Sequence, residues 1–153
     1  MMSDDILTSP PPATEVVVRP MTMQDYTAVI QLWQAAEGVG LSAADSAESI
    51  ARYLARNPGH SFVAYQAEQL VGAVLCGHDG RRGYLHHLAV APAQQRQGIG
   101  RQLVIHCLDA LTAVGIDKCH LFVFAANDGA HAFWQRIDWT HRVELILMSR
   151  QIT

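Results

Sequence analysis

A histidine pair and a glycine pair flank a short apolar run. His86 and His87 lie in Tyr84-Leu85-His86-His87-Leu88-Ala89-Val90, and Gly98 and Gly100 lie in Gln95-Arg96-Gln97-Gly98-Ile99-Gly100-Arg101, with Ala91-Pro92 near the join. Histidine titrates near pH 6.5, so it can take or give a proton around neutrality. The glycines let the backbone bend sharply and approach a ligand with no Cβ in the way. A helix starting straight after them aims unpaired N–H groups and a partial positive charge at one point. Such a corner binds phosphate.

The elements that must position these residues follow from apolar period and turn chemistry. Val16–Val18 reads as a strand closed by Pro20, and Thr22 with Asp25 resembles a capping box. Tyr26, Ile30, Trp33 and Ala36 recur at helical spacing, up to Gly38 and Gly40. Asp45 or Ser46 can cap a second helix with Ile50, Tyr53 and Leu54 inward, stopped at Asn57-Pro58. Ser61–Tyr65 and Leu70–Cys76 are apolar runs joined at Ala67-Glu68-Gln69, a hairpin. The Gly77–Gly83 loop leads to the strand Tyr84–Val90. Ile99, Leu103, Cys107, Leu111 and Val114 then form a helical stripe stopped by Gly115. A strand is expected at His120–Phe124, a helix at Asp128–Arg136 and a last strand at Val143–Met148. A helix between Val90 and a strand at 120 predicts a parallel βαβ unit beside an antiparallel meander. The class is α+β, without the regular alternation of a doubly wound dinucleotide fold.

The chain of 153 residues suits one domain at 15–153 behind a loose tail at 1–14. The tail carries Asp4, Asp5 and three prolines, unlike a signal peptide. No apolar run approaches the roughly 18–20 residues that span a bilayer, so no membrane partner is expected. A net charge of −3 with a single lysine, Lys118, argues against nucleic acid. Cys76, Cys107 and Cys119 form no CxxC pair, which favours a reducing cytoplasm. The remaining histidines have no ligand spacing such as HExxH, so no metal is expected.

The corner is not a nucleotide P-loop, since no lysine follows the glycines, and Leu103 stands where a dinucleotide fingerprint has glycine or alanine. Leu88-Ala89-Val90, then Pro92, then Gln95-Arg96-Gln97-Gly98-Ile99-Gly100 resembles the signature of the GNAT superfamily of acyl-CoA-dependent N-acetyltransferases. Asn127, Ala130, Phe133 and an aromatic at 134 match a second element of that family, and the element order agrees from residue 15 to 150. The Gly77–Gly83 loop is similar to that of a small bacterial, YpeA-like subgroup. The resemblance implies a mixed, mostly antiparallel sheet with a splayed parallel strand pair and about four helices.

It implies acetyl-CoA as cosubstrate, its pyrophosphate on N–H groups from Gln95 to Arg101 with Arg96 and Arg101 nearby. The pantetheine arm would lie along Leu88, Ala89 and Val90 like an added strand. The Val90 N–H would polarise the thioester carbonyl, and Asn127 would contact the cofactor near the splay. The activity implied is transfer of acetyl to a primary amine of a small molecule or protein N-terminus, by direct attack in a ternary complex.

Trp134 departs from the tyrosine that much of the family uses as general acid. Indole N–H donates but does not titrate usefully, so it can hydrogen-bond the leaving sulfur without protonating it. Core packing also accounts for Trp134, in the stripe Ala130, Phe133, Trp134 and Ile137. Asp138 is a second departure, at a usual glycine. By strand parity Tyr84, His86, Leu88 and Val90 share one face, which makes His86 the candidate base and Tyr84 a substitute acid. A strand histidine satisfied by a hydrogen bond is the plainer reading of His86. A bulge would invert the parity and favour His87.

On the acceptor side, Glu37 and Asp45 can hold a cationic amine, and Arg81 and Arg82 can grip a carboxylate or the cofactor's 3′-phosphate. Solvated surface charge is the competing reading of all four. Homodimerisation is left open. The alternative function is a catalytically poor acyl-CoA-binding regulator or sensor, for which Trp134 is the main argument.

Overall fold

Apolar runs, continuous in the central strands, build a five-stranded sheet whose strands neighbour one another in chain order, with helices on both faces. The computed structural model describes residues 15–153, so the tail expected at 1–14 lies outside the described residues. They form two compact units divided after Phe122.

In the first unit, β1 (Val16–Pro20), β2 (Phe62–Gln66), β3 (Gln69–His78) and β4 (Gly83–Val90) pair antiparallel in sequence. β5 (Cys119–Leu121) pairs parallel with β4. The β2–β3 hairpin turns on Ala67 and Glu68, both at positive φ (49° and 64°), the shape of a two-residue type I′ turn. Helices α1 (Tyr26–Ala35) and α2 (Ala47–Arg56) cover one face over Met21, Val29, Trp33, Ile50, Val63, Ala73, Leu75 and Ala89. Helix α3 (Ile99–Ala113) covers the other through Ile99, Leu103, Cys107 and Leu111. The α2 hydroxyl cap is Ser46, whose side chain accepts from the Ser49 N–H.

The strongest polar tie joins β1, β2 and the start of α1. Asp25 is buried and accepts two hydrogen bonds from Arg19 (2.9 and 2.6 Å), one from the Tyr65 hydroxyl (2.6 Å) and one from the Thr22 N–H (2.9 Å). Burial pushes its carboxyl up, but Arg19, the Thr22 amide and Tyr65 outweigh it and hold it below the usual carboxylate range. Sequence spacing anticipates Thr22 and Asp25; the long-range partners are found only in the fold.

The second unit holds α4 (Asp128–Arg136), capped by Asn127, whose Oδ1 accepts the Ala130 N–H at 3.0 Å. Two expectations are corrected. The strand expected at 120–124 is Cys119–Leu121, and Phe122 and Phe124 are exposed. The strand expected at Val143–Met148 is not seen: the segment has no ladder partner among the described residues, and Val143 and Ile146 are 78% and 83% exposed. Apolar and β-branched composition gives a segment strand propensity, but only a neighbouring edge supplies its hydrogen bonds.

Helix α4 ends with Asp138 at φ 72°, where the Trp139 N–H reaches back to the Trp134 carbonyl at 2.9 Å. Asp138 thus keeps the left-handed turn that glycine would make without strain. Asp138→Gly should stabilise the protein by about 0.5–1 kcal/mol after glycine's looser unfolded chain is counted, read as a higher urea unfolding midpoint. A lower midpoint would contradict the strain.

Candidate active site

The site begins with one extra residue in β4. Ala73 pairs with Ala89 and Leu75 with His86, so Val74 alone faces the two residues His87 and Leu88. This is a β-bulge, and His87 bears the strain of it at φ 57°. It corrects the parity expected for the strand. Tyr84 and His86 still project towards α1 and α2, since they pair with Gly77 and Leu75 on that face. Val90 does not join them: its partner Gly72 faces Leu103 and Ile99 of α3. His87 instead joins His86 on one cavity wall.

The same bulge re-aims the main chain. The Ala91 N–H bonds the Val71 carbonyl on β3 at 2.8 Å, so by alternation the N–H and C=O of Val90 point away from β3. On that side β5 pairs only with Gly83, Tyr84 and Leu85. Beyond Leu85, opposite the end of β5, β4 has no ladder partner on that side among the described residues. The Val90 carbonyl accepts from the Gln95 side chain at 3.1 Å, leaving its N–H turned to the open edge.

The two histidines have different surroundings. His87 Nε2 lies 2.9 Å from Asp45 Oδ1, with its ring edge-on to Trp33 at 5.0 Å. The buried Asp45 also accepts the Ser42 N–H at 3.0 Å. His86 makes no hydrogen bond among the described residues; Tyr84, Phe122 and Tyr53 surround its ring at 6.2–6.5 Å. Burial, then the charge of His87, holds the His86 imidazolium pKa below the usual value, with Asp45 opposing. His86 thus stays neutral, and ready to accept a proton, to lower pH than an exposed histidine.

These groups face a cavity of about 650 Å³ whose lining includes Ser42, Asp45, Arg52, Tyr53, Arg56, His86 and His87. Glycine at 77 is required beside it, because a Cβ there would come within 2.6 Å of the Tyr53 hydroxyl and Asn57. Asp45 lies on the wall, but its carboxylate is committed to His87 and Ser42. Glu37, Arg81 and Arg82 are not part of the wall. Arg82 pairs with Asp117 at 2.9 Å, and both arginines precede β4, a strand of eight residues or about 25 Å, at the end away from the glycine corner. Arg52, Tyr53 and Arg56 were not foreseen as polar wall groups. Their spacing on one helical ridge was the available signal.

The corner takes the expected form. Arg96 (φ 66°) and Gly98 (φ 80°) are both left-handed, the chain between Gln95 and Gly98 is exposed, and no side chain caps α3. The first-turn N–H groups of Ile99, Gly100 and Arg101 therefore face an open loop. In the second unit, Trp134 is half-buried, with the rings of Phe133 and Trp139 edge-on to it at 5.0 Å each. Asn127 serves as the α4 cap.

A family model described as the acetyltransferase (GNAT) family matches residues 26–139. A protein of Pectobacterium atrosepticum named acetyltransferase is 29% identical over 135 residues, covering 88% of this chain and 94% of its own. An aminoglycoside acetyltransferase from an uncultured soil metagenomic sample, solved in complex with sisomicin, superposes with a TM-score of 0.71 at 19% identity. That match covers 90% of this chain and 97% of the other. The PaiA N-acetyltransferase from Thermoplasma acidophilum, solved in complex with coenzyme A, gives a TM-score of 0.69 at 17% identity over 81% and 89% of the two chains.

The bulge has a direct test. His87→Gly and His87→Val both lose the Asp45 and Trp33 contacts, so their difference isolates the backbone. The valine variant should be less stable by about 1 kcal/mol in chemical unfolding, because a β-branched residue resists positive φ. Equal stabilities would argue against the left-handed conformation.

Proposed function

The chain belongs to the GNAT acetyltransferase family, and from that premise we propose that residues 15–153 act as one domain moving acetyl from acetyl-CoA to a primary amine. The acceptor is a small molecule or a peptide N-terminus, and it attacks directly in a ternary complex. One observation carries the reading: the bulge turns the Val90 N–H to the open edge of β4, beside the glycine corner, while two histidines line a cavity on the same strand.

The corner suits the cosubstrate. Two left-handed residues and an uncapped helix start form a concave row of N–H donors, and exposed Arg96 and Arg101 add positive charge for a pyrophosphate. When bound, the thioester supplies an activated acetyl and a thiol leaving group of pKa about 8.5. The Val90 N–H donates to the carbonyl oxygen as negative charge develops there. A ring nitrogen of His86 takes the ammonium proton, directly or through one water, and frees the nitrogen lone pair. As the C–N bond forms and the C–S bond breaks, the Tyr84 hydroxyl gives its proton to the leaving sulfur, the amine's next proton passes through water to the Tyr84 oxygen, and His86 returns its own to solvent. Asp45 holds His87, whose charge in turn tunes His86, so both are positioning residues. The indole of Trp134 carries no titrating proton, so the acid is assigned to Tyr84.

The replacement of a titrating tyrosine by Trp134 favours one second reading, an acyl-CoA-binding sensor that turns over poorly. A free-thiol assay with acetyl-CoA and an amine panel separates the two. Turnover on any amine supports the enzyme, and tight calorimetric binding of CoA without turnover supports the sensor.

For the enzyme, the acid limb of kcat/KM should lie below about pH 6.5, since burial and His87 lower the His86 pKa. His86→Gln should remove that limb and cut kcat about 100-fold or more. Asp45→Asn should move the limb further down, because Asp45 carries the charge that raises the His86 pKa. An unchanged profile in both variants would exclude His86 as the base.

A further inference from the structure

The charges on the cavity wall point to the acceptor. Its one acid, Asp45, is buried, with Oδ1 accepting from His87 at 2.9 Å and Oδ2 from Ser42 at 3.0 Å. Both oxygens are already hydrogen-bonded and only 7% of the side chain is exposed, which leaves little of that carboxylate to hold an incoming ammonium group. Arg52 and Arg56 stand one turn apart on α2, both lining the cavity and both exposed. Among the described residues neither makes a hydrogen bond or ion pair. Glu48, four residues before Arg52, is unpaired with it and lies off the wall. The remaining titratable groups on the wall are Tyr53, His86 and His87. Above neutral pH the wall carries two free guanidinium groups and no free carboxylate. A proton taken up by His86 makes it more positive still.

From this balance we propose that the cavity takes an amine that also bears an anionic group, a carboxylate above all, gripped by Arg52 and Arg56. This rests on the acetyltransferase reading and deepens it. Residues four apart on a helix present their side chains about 5–6 Å from each other, so two guanidinium groups can close on one carboxylate. The planar fork of each suits carboxylate geometry better than an ammonium would. The volume of about 650 Å³ holds an amino acid or the first residues of an acidic peptide, two sources of the same chemistry. An acceptor bearing several ammonium groups meets the opposite of what it needs, even though an aminoglycoside acetyltransferase shares this fold.

The test compares α-amino acids with their amides, an acidic peptide with its neutral counterpart, and spermidine, each with acetyl-CoA in the free-thiol assay. The carboxylate-bearing amine should exceed its amide about tenfold or more in kcat/KM. Arg52→Gln with Arg56→Gln should collapse that ratio towards one through KM, and Arg52→Glu should turn the preference towards spermidine. Whether free amino acids or the peptide carry the preference decides the source. A preference for spermidine in the unaltered protein, or a ratio that survives the double variant, overturns the proposal. Calorimetry with N-acetylglutamate and N-acetylglycine keeps the two readings apart. If no amine turns over, the enzyme reading falls, while binding lost in the double variant still supports the anion subsite. No binding by the unaltered protein refutes it.

Discussion

One additional residue in β4 sets the geometry on which the rest of the site depends. Without the bulge at His87, the strand would keep one parity from Gly83 to Val90. His87 would then face α3, and the Val90 N–H would be spent on β3. With it, two consecutive histidines share one cavity wall and the last N–H of the strand faces an open edge. A single left-handed residue thus alters side-chain facing and main-chain hydrogen bonding together.

Such a residue is costly, and its neighbours oppose relaxation. The His87 ring sits edge-on to Trp33, a fully buried anchor of α1, and bonds Asp45, itself held by the Ser42 N–H. Releasing the bulge would leave a buried carboxylate short of a partner, a loss of about 1–3 kcal/mol or more, comparable to the strain it would relieve. Asp25 plays a matching part at the edge of the sheet, where Arg19, Tyr65 and Thr22 fully satisfy a buried charge. The two aspartates are alike in sequence, and both begin as cap residues of short turns. They differ in what the fold delivers to them: a structural pair for Asp25, a tunable histidine for Asp45.

The division between β4 and β5 serves binding and packing at once. Pairing over Gly83–Leu85 anchors the parallel strands near the start of β4, and α3 closes that face with Leu111 against Gly83. Past Leu85, where β5 ends, β4 has no ladder partner on that side among the described residues, and an unpaired edge of this kind can accept an extended ligand as an added strand. A shared fold leaves the choice of acceptor to the side chains of the site it carries.

Much of this was legible along the chain. Helix starts at Thr22 and Ser46, the hairpin at Ala67–Glu68, the glycine corner and the α4 cap at Asn127 all rest on local rules, in which a residue and its neighbours within about four positions decide the outcome. The form of the corner was readable for the same reason, since Gln95–Arg101 is one contiguous stretch running from a turn into the start of α3. The acceptor side was not. Asp45 read as a free carboxylate until His87, 42 residues on, took it, and Arg52 and Arg56 became wall residues only when α2 packed beside β4. Val143–Met148 is an apolar run with no ladder partner among the described residues, because a partner is not a local property. Local sequence determined most of the elements and the glycine corner. Tertiary structure decided the facing of β4 and the charge of the cavity, because bulge register and ion pairing depend on residues far apart in the chain.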